Sequence, residues 1–541
     1  MPRKITVSEK ALAHLSRGLY RSPASALKEL VSNAWDANAE TVTISTNYPN
    51  FLQVSCSDDG DGFSKRDFDA LMQGGIGNST KSTNTKPLIN NRPVLGRLGI
   101  GMLSIAQICG SYSITSRPRH GEAFRARVKL YDLLKDKLDE EEPSVVRRSK
   151  PDNPSQSEKN IDEGTTETID VQPLEGRIEE IDIGTFEFES LNGDDVPFGT
   201  SIVADDVHPA FARAFQQSLQ LDKYVEPNLD WAKAIKTFYK VSTIRELGDY
   251  WKLLWELSVA CPIPYLSADA IPEGAVRTEH KQLTEYDFNL IVDGITLRKP
   301  VRLKDNPNGY TVVKFEKQDR KVYGKKLSFD GYLVVQEGLE IKPAELRGIL
   351  IRIKNVAIGY YDGTLLDYRI NEGPRSRWLT GEIVVHEGLE NALNIDRDSF
   401  NQFHPEFRAV QEFVHEQLQK QLFSEVYKKL DQRSKVKAAL RASERSGKLK
   451  SILRDQLEKD VNLRTARHDP SQQPSLAVDI VESSKKVEVT LPGDGAFKIK
   501  QANRQLATSI LTIFEIAMKG KTLDERRETF TKLLLALLKN W

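Results

Sequence analysis

Apolar and polar positions divide the chain into stretches with helical and with strand periodicity. Residues 23–38 lack Gly and Pro after Pro23 and repeat their apolar residues with helical spacing, which predicts a helix. The run TVTISTNYPNFLQVSCSDDG alternates Val, Ile and Thr with polar residues and predicts a hairpin of two strands. Residues 208–265 predict helices, residues 285–400 predict strands and turns, and residues 404–462 again predict helices.

The first predicted helix carries an acidic and amide-bearing face. Glu29, Asn33 and Asp36 recur at i, i+4 and i+7, which places them on one side of a helix. A Glu and an Asn one turn apart suit a hydrolase in which Glu29 is the base that activates water and Asn33 binds magnesium. Ordinary surface helices also carry acids at this spacing, and that interpretation stays open here.

The second predicted strand ends in the pattern DxGxG, formed by Asp58, Gly60 and Gly62. A carboxylate at a strand end can accept a hydrogen bond from the exocyclic amine of adenine, and the glycines let the backbone turn beside a flat ring. A ligand-free acidic turn is the alternative. Much later, Gly199 and Thr200 open another strand that could reach the same adenine side.

A glycine-rich region over residues 74–101 has the composition of a phosphate-binding lid. Gly96, Gly99 and Gly101, with Ile100 among them, lead into the apolar stretch MLSIAQIC, which predicts a helix. Backbone N–H groups just before a helix can approach phosphate oxygens, and the helix dipole adds attraction. No GxxxxGK[ST] motif occurs, so this is not a Walker loop.

The ordered set ExxxNxxDA, DxGxG, GxxGxG and GT resembles the GHKL ATPase superfamily of gyrase-type topoisomerases, ninety-kilodalton heat-shock chaperones, histidine kinases and MutL mismatch-repair proteins. The resemblance implies a Bergerat-type α/β sandwich that binds ATP and Mg²⁺. It implies that Glu29 activates the attacking water, Asn33 binds magnesium and Asp58 recognises adenine. The remaining implied ATP contacts are Asp36, Gly60, Gly62, Gly96, Gly99, Ile100, Gly101 and Thr200, with Lys81 either a phosphate contact or a solvated lid charge.

Two parts of the chain resemble different branches of that superfamily. The first helix looks most like the mismatch-repair branch, whereas residues 329–400, ending in LNIDRD, resemble the middle domain of the heat-shock chaperones. In that domain an LNIxR[ED] element carries an arginine to the terminal phosphate, which implies this role for Arg397. A guanidinium delivered from a second domain stabilises phosphate charge only when the domains dock. A helix cap, or a surface pair between Arg397 and Asp396 or Asp398, is the alternative.

These patterns predict an α+β chain whose sandwich is followed by an α/β transducer domain and a mainly helical C-terminal module. We expect four regions, of which the first contains an acidic insert at about 137–197. The regions are residues 1–207 for ATP binding, 208–403 for the transducer, 404–464 for a basic helical segment and 476–541 for strands plus a helix. The apolar face of the last helix packs within its own domain or forms a dimer seam.

Composition narrows the class of protein only a little. The 541 residues carry 77 basic and 77 acidic side chains, so the net charge does not demand nucleic acid. Cys56, Cys109 and Cys261 lie in or near apolar runs without metal-ligand spacing and predict reduced core thiols. Since neither a signal peptide nor an apolar run of about 18 residues occurs, we expect a cytoplasmic protein without membrane contact.

The sequence therefore predicts an ATP-hydrolysing machine that closes a lid, forms a homodimer and acts on a protein client as chaperones do. One alternative is an ATP-dependent DNA clamp of mismatch-repair type or of a type that defends against mobile DNA. Its DNA contact would be the basic helix 428–454, although a solvated helix explains those charges too. Another alternative is a nonhydrolytic scaffold gated by ATP. No endonuclease metal signature or phosphoacceptor His supports a nuclease or histidine kinase.

Overall fold

The computed structural model describes the chain in separate stretches. The described residues are 3–8, 22–76, 88–95, 104–105, 107–130, 180–189, 191, 196–218, 230–303, 306–370, 372–394, 398–457, 460–465, 479–482, 486–491, 514–515 and 518–540.

Helices form where the sequence repeats apolar residues at helical spacing. They are α1 (Pro23–Asp36), α2 (Lys65–Met72), α3 (Pro209–Ser218), α4 (Trp231–Phe238), α5 (Asp249–Ala260), α6 (Arg277–Glu285), α7 (Pro405–Gln417), α8 (Ser424–Leu457) and α9 (Leu523–Asn540). A π-helical turn, Leu418–Phe423, joins α7 to α8.

The strands lie mainly in the first 390 residues. They are β1 (Arg3–Ser8), β2 (Thr41–Ser45), β3 (Val54–Asp58), β4 (Gln73–Ile76), β5 (Cys109–Arg117), β6 (Phe124–Leu130), β7 (Glu180–Glu189), β8 (Gly199–Val207), β9 (Asn289–Val292), β10 (Ile295–Thr296), β11 (Tyr310–Val322), β12 (Lys325–Gln336), β13 (Gly348–Ile353), β14 (Val356–Asp362), β15 (Leu379–Glu387), β16 (Asp460–Thr465), β17 (Asp479–Glu482) and β18 (Lys486–Leu491).

The first sheet holds the predicted nucleotide elements. Within the described residues its strand order is β10-β9-β2-β3-β8-β5-β6-β7-β1-β4. The predicted hairpin is confirmed as the antiparallel pair β2 and β3, and Val42 and Ile44 point into the core. Because β8 pairs with β3, Thr200 lies opposite Asp58. The sheet thus brings together the DxGxG and GT pieces, which lie 142 residues apart in sequence.

The predicted first helix is confirmed as α1. Ser22 caps it by accepting a hydrogen bond from the Ser25 N–H, and Pro23 occupies the first turn, where its missing N–H has no cost. Trp35 is fully buried and meets Tyr286 edge-on, with ring centroids 5.3 Å apart. Apolar packing therefore holds one side of α1 against the core and leaves its polar side toward the predicted site.

The structure departs from three expectations drawn from the sequence. The helix predicted over residues 102–109 is wrong at its C-terminal end, because β5 starts at Cys109 and alternates buried Tyr112 and Ile114 with less buried neighbours. The first sheet also extends beyond residue 207, since β9 pairs in parallel with β2. In addition β7 lies within the range expected to be an acidic insert and pairs with both β6 and β1.

The second sheet has the order β11-β12-β15-β13-β14. On one face Phe315 and Phe329 pack against Phe413 of α7, with centroids 5.1 and 5.2 Å away. On the other face Tyr332 and Val334 join the large apolar core shared with the first sheet. Both sheets therefore contribute to the same core, consistent with the predicted α+β class.

A buried polar cluster fixes the second sheet to the segment after α5. The carboxylate of Glu382 accepts hydrogen bonds from Arg352 Nε at 2.5 Å and from the Tyr265 hydroxyl at 2.8 Å, and Glu382 and Arg352 are fully buried. Arg352 also donates to the Val259 carbonyl at 2.6 Å. The Arg352 guanidinium holds the pKa of Glu382 below its usual range despite burial.

Contacts divide the chain into two compact units, Met1–Val426 and Tyr427–Trp541. In the second unit β16, β18 and β17 form a small sheet. Residues 431–438 of α8 are all exposed, whereas Leu533 of α9 is buried. The side chains of Leu534, Leu535, Leu537, Leu538 and Trp541 lie outside the described residues, so the dimer seam stays a prediction.

Candidate functional site

The polar face of α1 forms the first part of the candidate site. Glu29 is 7% exposed, and Asn33 and Asp36 are half-buried. Helical spacing places them on one side of α1 together with three further buried polar residues. The residues of this polar face are Ser25, Lys28, Glu29, Ser32, Asn33 and Asp36.

Asp58 ends β3 as the sequence predicts and is held by backbone N–H groups. Its Oδ1 accepts hydrogen bonds from Gly60 N at 3.0 Å and Thr200 N at 3.3 Å. Burial raises the pKa of Asp58 to about 6, although these hydrogen bonds act in the opposite direction. The site therefore presents a carboxylate that is ionised at neutral pH and oriented by the chain on both sides.

Glycines allow the chain to crowd around Asp58. A Cβ at Gly60 would lie 2.5 Å from the Ala37 carbonyl oxygen, and one at Gly199 would lie 2.0 Å from the Asp58 carbonyl oxygen. Gly62 and Gly199 also have positive φ values of 62° and 104°. Any side chain at these positions would push apart the strands that form the floor of the site.

Two hydroxyl pairs continue from Asp58 into the sheet. Ser116 Oγ lies 3.2 Å from Thr200 Oγ1, and Ser57 Oγ lies 2.8 Å from Ser201 Oγ. Hydroxyls can donate or accept, so this row can adapt to a ring nitrogen or a bridging water. The structure thus brings Asp58, Gly60, Gly62 and Thr200 together as the sequence predicts.

The C-terminal end of α1 anchors the chain that leads to the predicted phosphate glycines. Asp36 Oδ1 accepts a hydrogen bond from Leu95 N at 2.7 Å. Asn38 donates to Asp61 at 2.5 Å and accepts from Ile89 N at 2.9 Å. Asp36, expected to contact ATP, thereby also holds the residue immediately before Gly96.

Arg92 and Trp35 add to this anchor. Arg92 is 3% exposed and donates to the carbonyls of Ala39 and Tyr286, and its guanidinium lies 4.9 Å from the centre of the Trp35 ring. Trp35 Nε1 donates to the Pro93 carbonyl at 2.8 Å. The sequence analysis did not predict a role for Arg92. The only signal in the sequence is a single arginine in the polar loop before Pro93.

Lys354 is a second residue that was not predicted from the sequence. It sits in the tight turn between β13 and β14, where it and Asn355 have positive φ values of 50° and 70°. Its Nζ donates to the Val94 carbonyl at 3.1 Å and lies 2.9 Å from Glu390. The second sheet therefore touches the chain that leads into the glycine segment.

Asp398, which follows Arg397 in the sequence, contacts the polar face of α1. Its carboxylate lies 2.6 Å from Lys28 Nζ and accepts a hydrogen bond from Ser25 Oγ at 3.0 Å. The side chains of Lys28 and Asp398 are only 6% and 7% exposed. The Asp398 side chain is therefore largely buried against α1, and the role of Arg397 stays a prediction.

Several predicted site residues lie outside the described residues, so their roles stay predictions. They are Lys81, Gly96, Gly99, Ile100, Gly101 and Arg397.

The ligand set suits magnesium held mainly by nucleotide phosphates. The described residues contain no group of three or more His, Cys, Asp or Glu side chains that could hold a metal. Magnesium in nucleotide sites keeps several waters and takes only one or two protein ligands besides phosphate oxygens. The half-buried amide of Asn33, one turn from Glu29, fits that requirement.

The three cysteines lie in the core. Cys56, Cys109 and Cys261 are buried and free, which confirms core thiols, and burial raises the pKa of Cys109 to about 12.

Among the stretches that the structure describes, no helix has the length and apolarity needed to cross a membrane.

Comparison with known proteins supports the motif assignment. Residues 20–168 match the family model "Histidine kinase-, DNA gyrase B-, and HSP90-like ATPase". The curated protein "Putative type II restriction enzyme HgiDII" of Herpetosiphon aurantiacus is 35% identical over 122 residues, which make up 22% of this chain. The chain covers 19% of the length of that relative.

Proposed function

We propose that this chain, which carries a GHKL-type ATPase domain at residues 20–168, binds and hydrolyses ATP at the site between α1 and Asp58. The observation that carries the proposal is the placement of Asp58 between the N–H groups of Gly60 and Thr200. A carboxylate oriented in this way suits recognition of an adenine amine. The polar face of α1 supplies the groups that hydrolysis needs.

Each residue has a defined task in this proposal. Asp58 accepts a hydrogen bond from the exocyclic amine of adenine, and Thr200 supports it through its N–H. Glu29 orients a water and takes its proton, because a partly water-excluded setting strengthens the hydrogen bond between base and water. Asn33 would hold magnesium, which neutralises phosphate charge when bound. Arg397 stays the proposed second source of positive charge.

The test of the proposed chemistry replaces Glu29 with Gln. Loss of a general base reduces turnover by about 100-fold or more, while the similar shape of Gln should leave the affinity for ATP within about threefold. Steady-state phosphate release and fluorescent nucleotide titration measure the two effects. Glu40→Gln is the matched control, because Glu40 is exposed just beyond α1.

Unchanged turnover in Glu29→Gln would remove Glu29 from the mechanism. If the unmodified protein binds ATP without any turnover, the nonhydrolytic scaffold becomes the better description.

A role directed at DNA is the second candidate function, and the printed name of the restriction-enzyme relative favours it. The exposure of α8 adds support. Residues 431–438 are exposed around the whole circumference of the helix, which is not the pattern of a helix packed in a core. The helix carries ten basic side chains against four acidic ones over residues 424–457.

Chaperone-like action on a protein client and formation of a homodimer stay predictions.

The proposed contact between α8 and DNA is tested with the charge-reduced variant Lys428→Gln/Lys437→Gln/Arg441→Gln. We expect it to weaken binding to a random DNA duplex and to lower the slope of log affinity against log salt by up to about 3. Fluorescence anisotropy at several salt concentrations measures both. Lys233→Gln/Lys236→Gln/Lys240→Gln removes the same charge from the α4 region and serves as the control. Equal affinity of both variants for DNA would argue against contact through α8.

A further inference from the structure

A buried ion pair joins the helix that carries Glu29 to a loop some 370 residues later in the sequence. Lys28 Nζ lies 2.6 Å from Asp398 Oδ1, with a sequence separation of 370 residues. Ser25 Oγ donates to the other carboxylate oxygen of Asp398 at 3.0 Å. Both oxygens of Asp398 are thus engaged by α1.

Lys28 and Ser25 share a face of α1 with the proposed base. Ser25 and Glu29 are spaced i and i+4, and Lys28 directly precedes Glu29. Ser25 lies in the first turn, where the helix dipole favours a carboxylate. Asp398 therefore binds α1 one turn before the position where the attacking water would be activated.

Backbone hydrogen bonds join described residues that precede Asp398 to residues that follow it. Asn394 N donates to the Ser399 carbonyl at 2.9 Å, and Asn401 N donates to the Ala392 carbonyl at 2.8 Å. A Cβ at Gly359 of β14 would lie 2.6 Å from the Asp398 carbonyl oxygen, so the second sheet also approaches this loop closely. Asp398 is therefore contacted by α1 through its side chain and approached by β14 at its backbone.

We infer that Lys28 and Asp398 are positioning residues, whose buried ion pair holds the second sheet and its loop against the face of α1 that performs hydrolysis. Separating two oppositely charged side chains that are both buried is costly, which favours the docked arrangement. A cavity of about 470 Å³ borders the pair and is lined in part by Ser25, Lys28 and Asp398. This inference rests on the proposed ATPase function.

The test uses the full chain and the variants Lys28→Met, Asp398→Asn and their combination. We expect each single variant to lower kcat by about tenfold or more with KM for ATP changed less than threefold. The double variant should resemble either single variant, because residues that act as one unit are not additive. Lys28→Arg keeps the charge and should restore kcat to within threefold of the unmodified protein.

Hydrogen exchange of residues 392–401 gives a readout that does not depend on turnover. Loss of the ion pair should speed exchange there, and Tyr265→Phe, which removes one buried hydrogen bond of Glu382, should not. Faster exchange with unchanged kcat would show a purely structural pair and overturn the inference. Unaltered exchange in Lys28→Met overturns it as well. If the unmodified protein hydrolyses no ATP, the proposed function fails, while the exchange result still decides whether the pair holds the loop.

Discussion

The two ends of α1 are built in different ways. At the C-terminal end, Asp36 and Asn38 contact Leu95, Asp61 and Ile89, which lie at most 59 residues away in the sequence. At the N-terminal end, Ser25 and Lys28 contact Asp398, which is 373 and 370 residues away. These hydrogen bonds of Asp36 and Asn38 stay within the ATPase segment, with Lys354 of the second sheet added at Val94, whereas those of Ser25 and Lys28 go to a residue beyond the second sheet.

Because the two ends of α1 are held by different contacts, our proposal assigns ATP binding and ATP hydrolysis to different parts of the molecule. The adenine side requires only contacts within the first sheet, so ATP binding should tolerate changes at the Lys28–Asp398 pair. Hydrolysis needs the N-terminal end of α1 to be held as well. Variants that damage one end and spare the other therefore show whether the two ends act independently.

The largest effect is expected from Gly199→Ala at the adenine side. The added Cβ would lie 2.0 Å from the Asp58 carbonyl oxygen, and φ at this position is +104°. We expect ATP affinity to fall more than about 100-fold and the free energy of unfolding to fall by about 3 kcal/mol. Nucleotide titration and denaturant unfolding measure the two losses.

A matched glycine shows whether contact or backbone conformation causes that loss. Gly294 has φ of +83°, and a Cβ added there would have nothing within 4 Å, so Gly294→Ala carries similar conformational strain without the collision. It should retain ATP binding. If the two ends of α1 are independent, amide hydrogen exchange of residues 392–401 should be as slow in both variants as in the unmodified protein.

A smaller effect is expected from pH. Because burial raises the pKa of Asp58 to about 6, the free protein loses its ionised acceptor below that pH. ATP affinity should then weaken by about tenfold for each further pH unit. Protonation of Asp58 between pH 6 and 3.8 favours the folded state, since its pKa is higher when folded, so Asp58 itself causes no unfolding in this range.

Nucleotide titration across the pKa of Asp58, from acidic to neutral pH, checks this dependence. The Asp58→Asn variant has no titrating group at this position. Its ATP affinity therefore shows how much of the pH dependence comes from the nucleotide and from other groups. If ATP affinity falls with pH in the same way in both proteins, Asp58 does not control adenine binding. The value of kcat at saturating ATP reports separately on the N-terminal end of α1.

The sequence alone determined the elements whose chemistry is local. The helix of Glu29, Asn33 and Asp36, the β2–β3 hairpin and the turn after Asp58 follow from residue spacing and from the glycines of the DxGxG pattern. The pairing of Thr200 with Asp58 was reached only through the family resemblance, since a GT pair by itself says little.

Tertiary structure alone decided the partners of Lys28, Lys354 and Arg92. Sequence spacing shows which side chains share a helix face, but it carries no information about which distant loop will cover that face. In the sequence, Asp398 was considered only as a possible partner of the adjacent Arg397. In the structure its buried carboxylate pairs with Lys28. A buried charge needs an opposite charge or hydrogen-bond acceptors close by, and only the packing of the two sheets on one core decides where Lys28 meets Asp398.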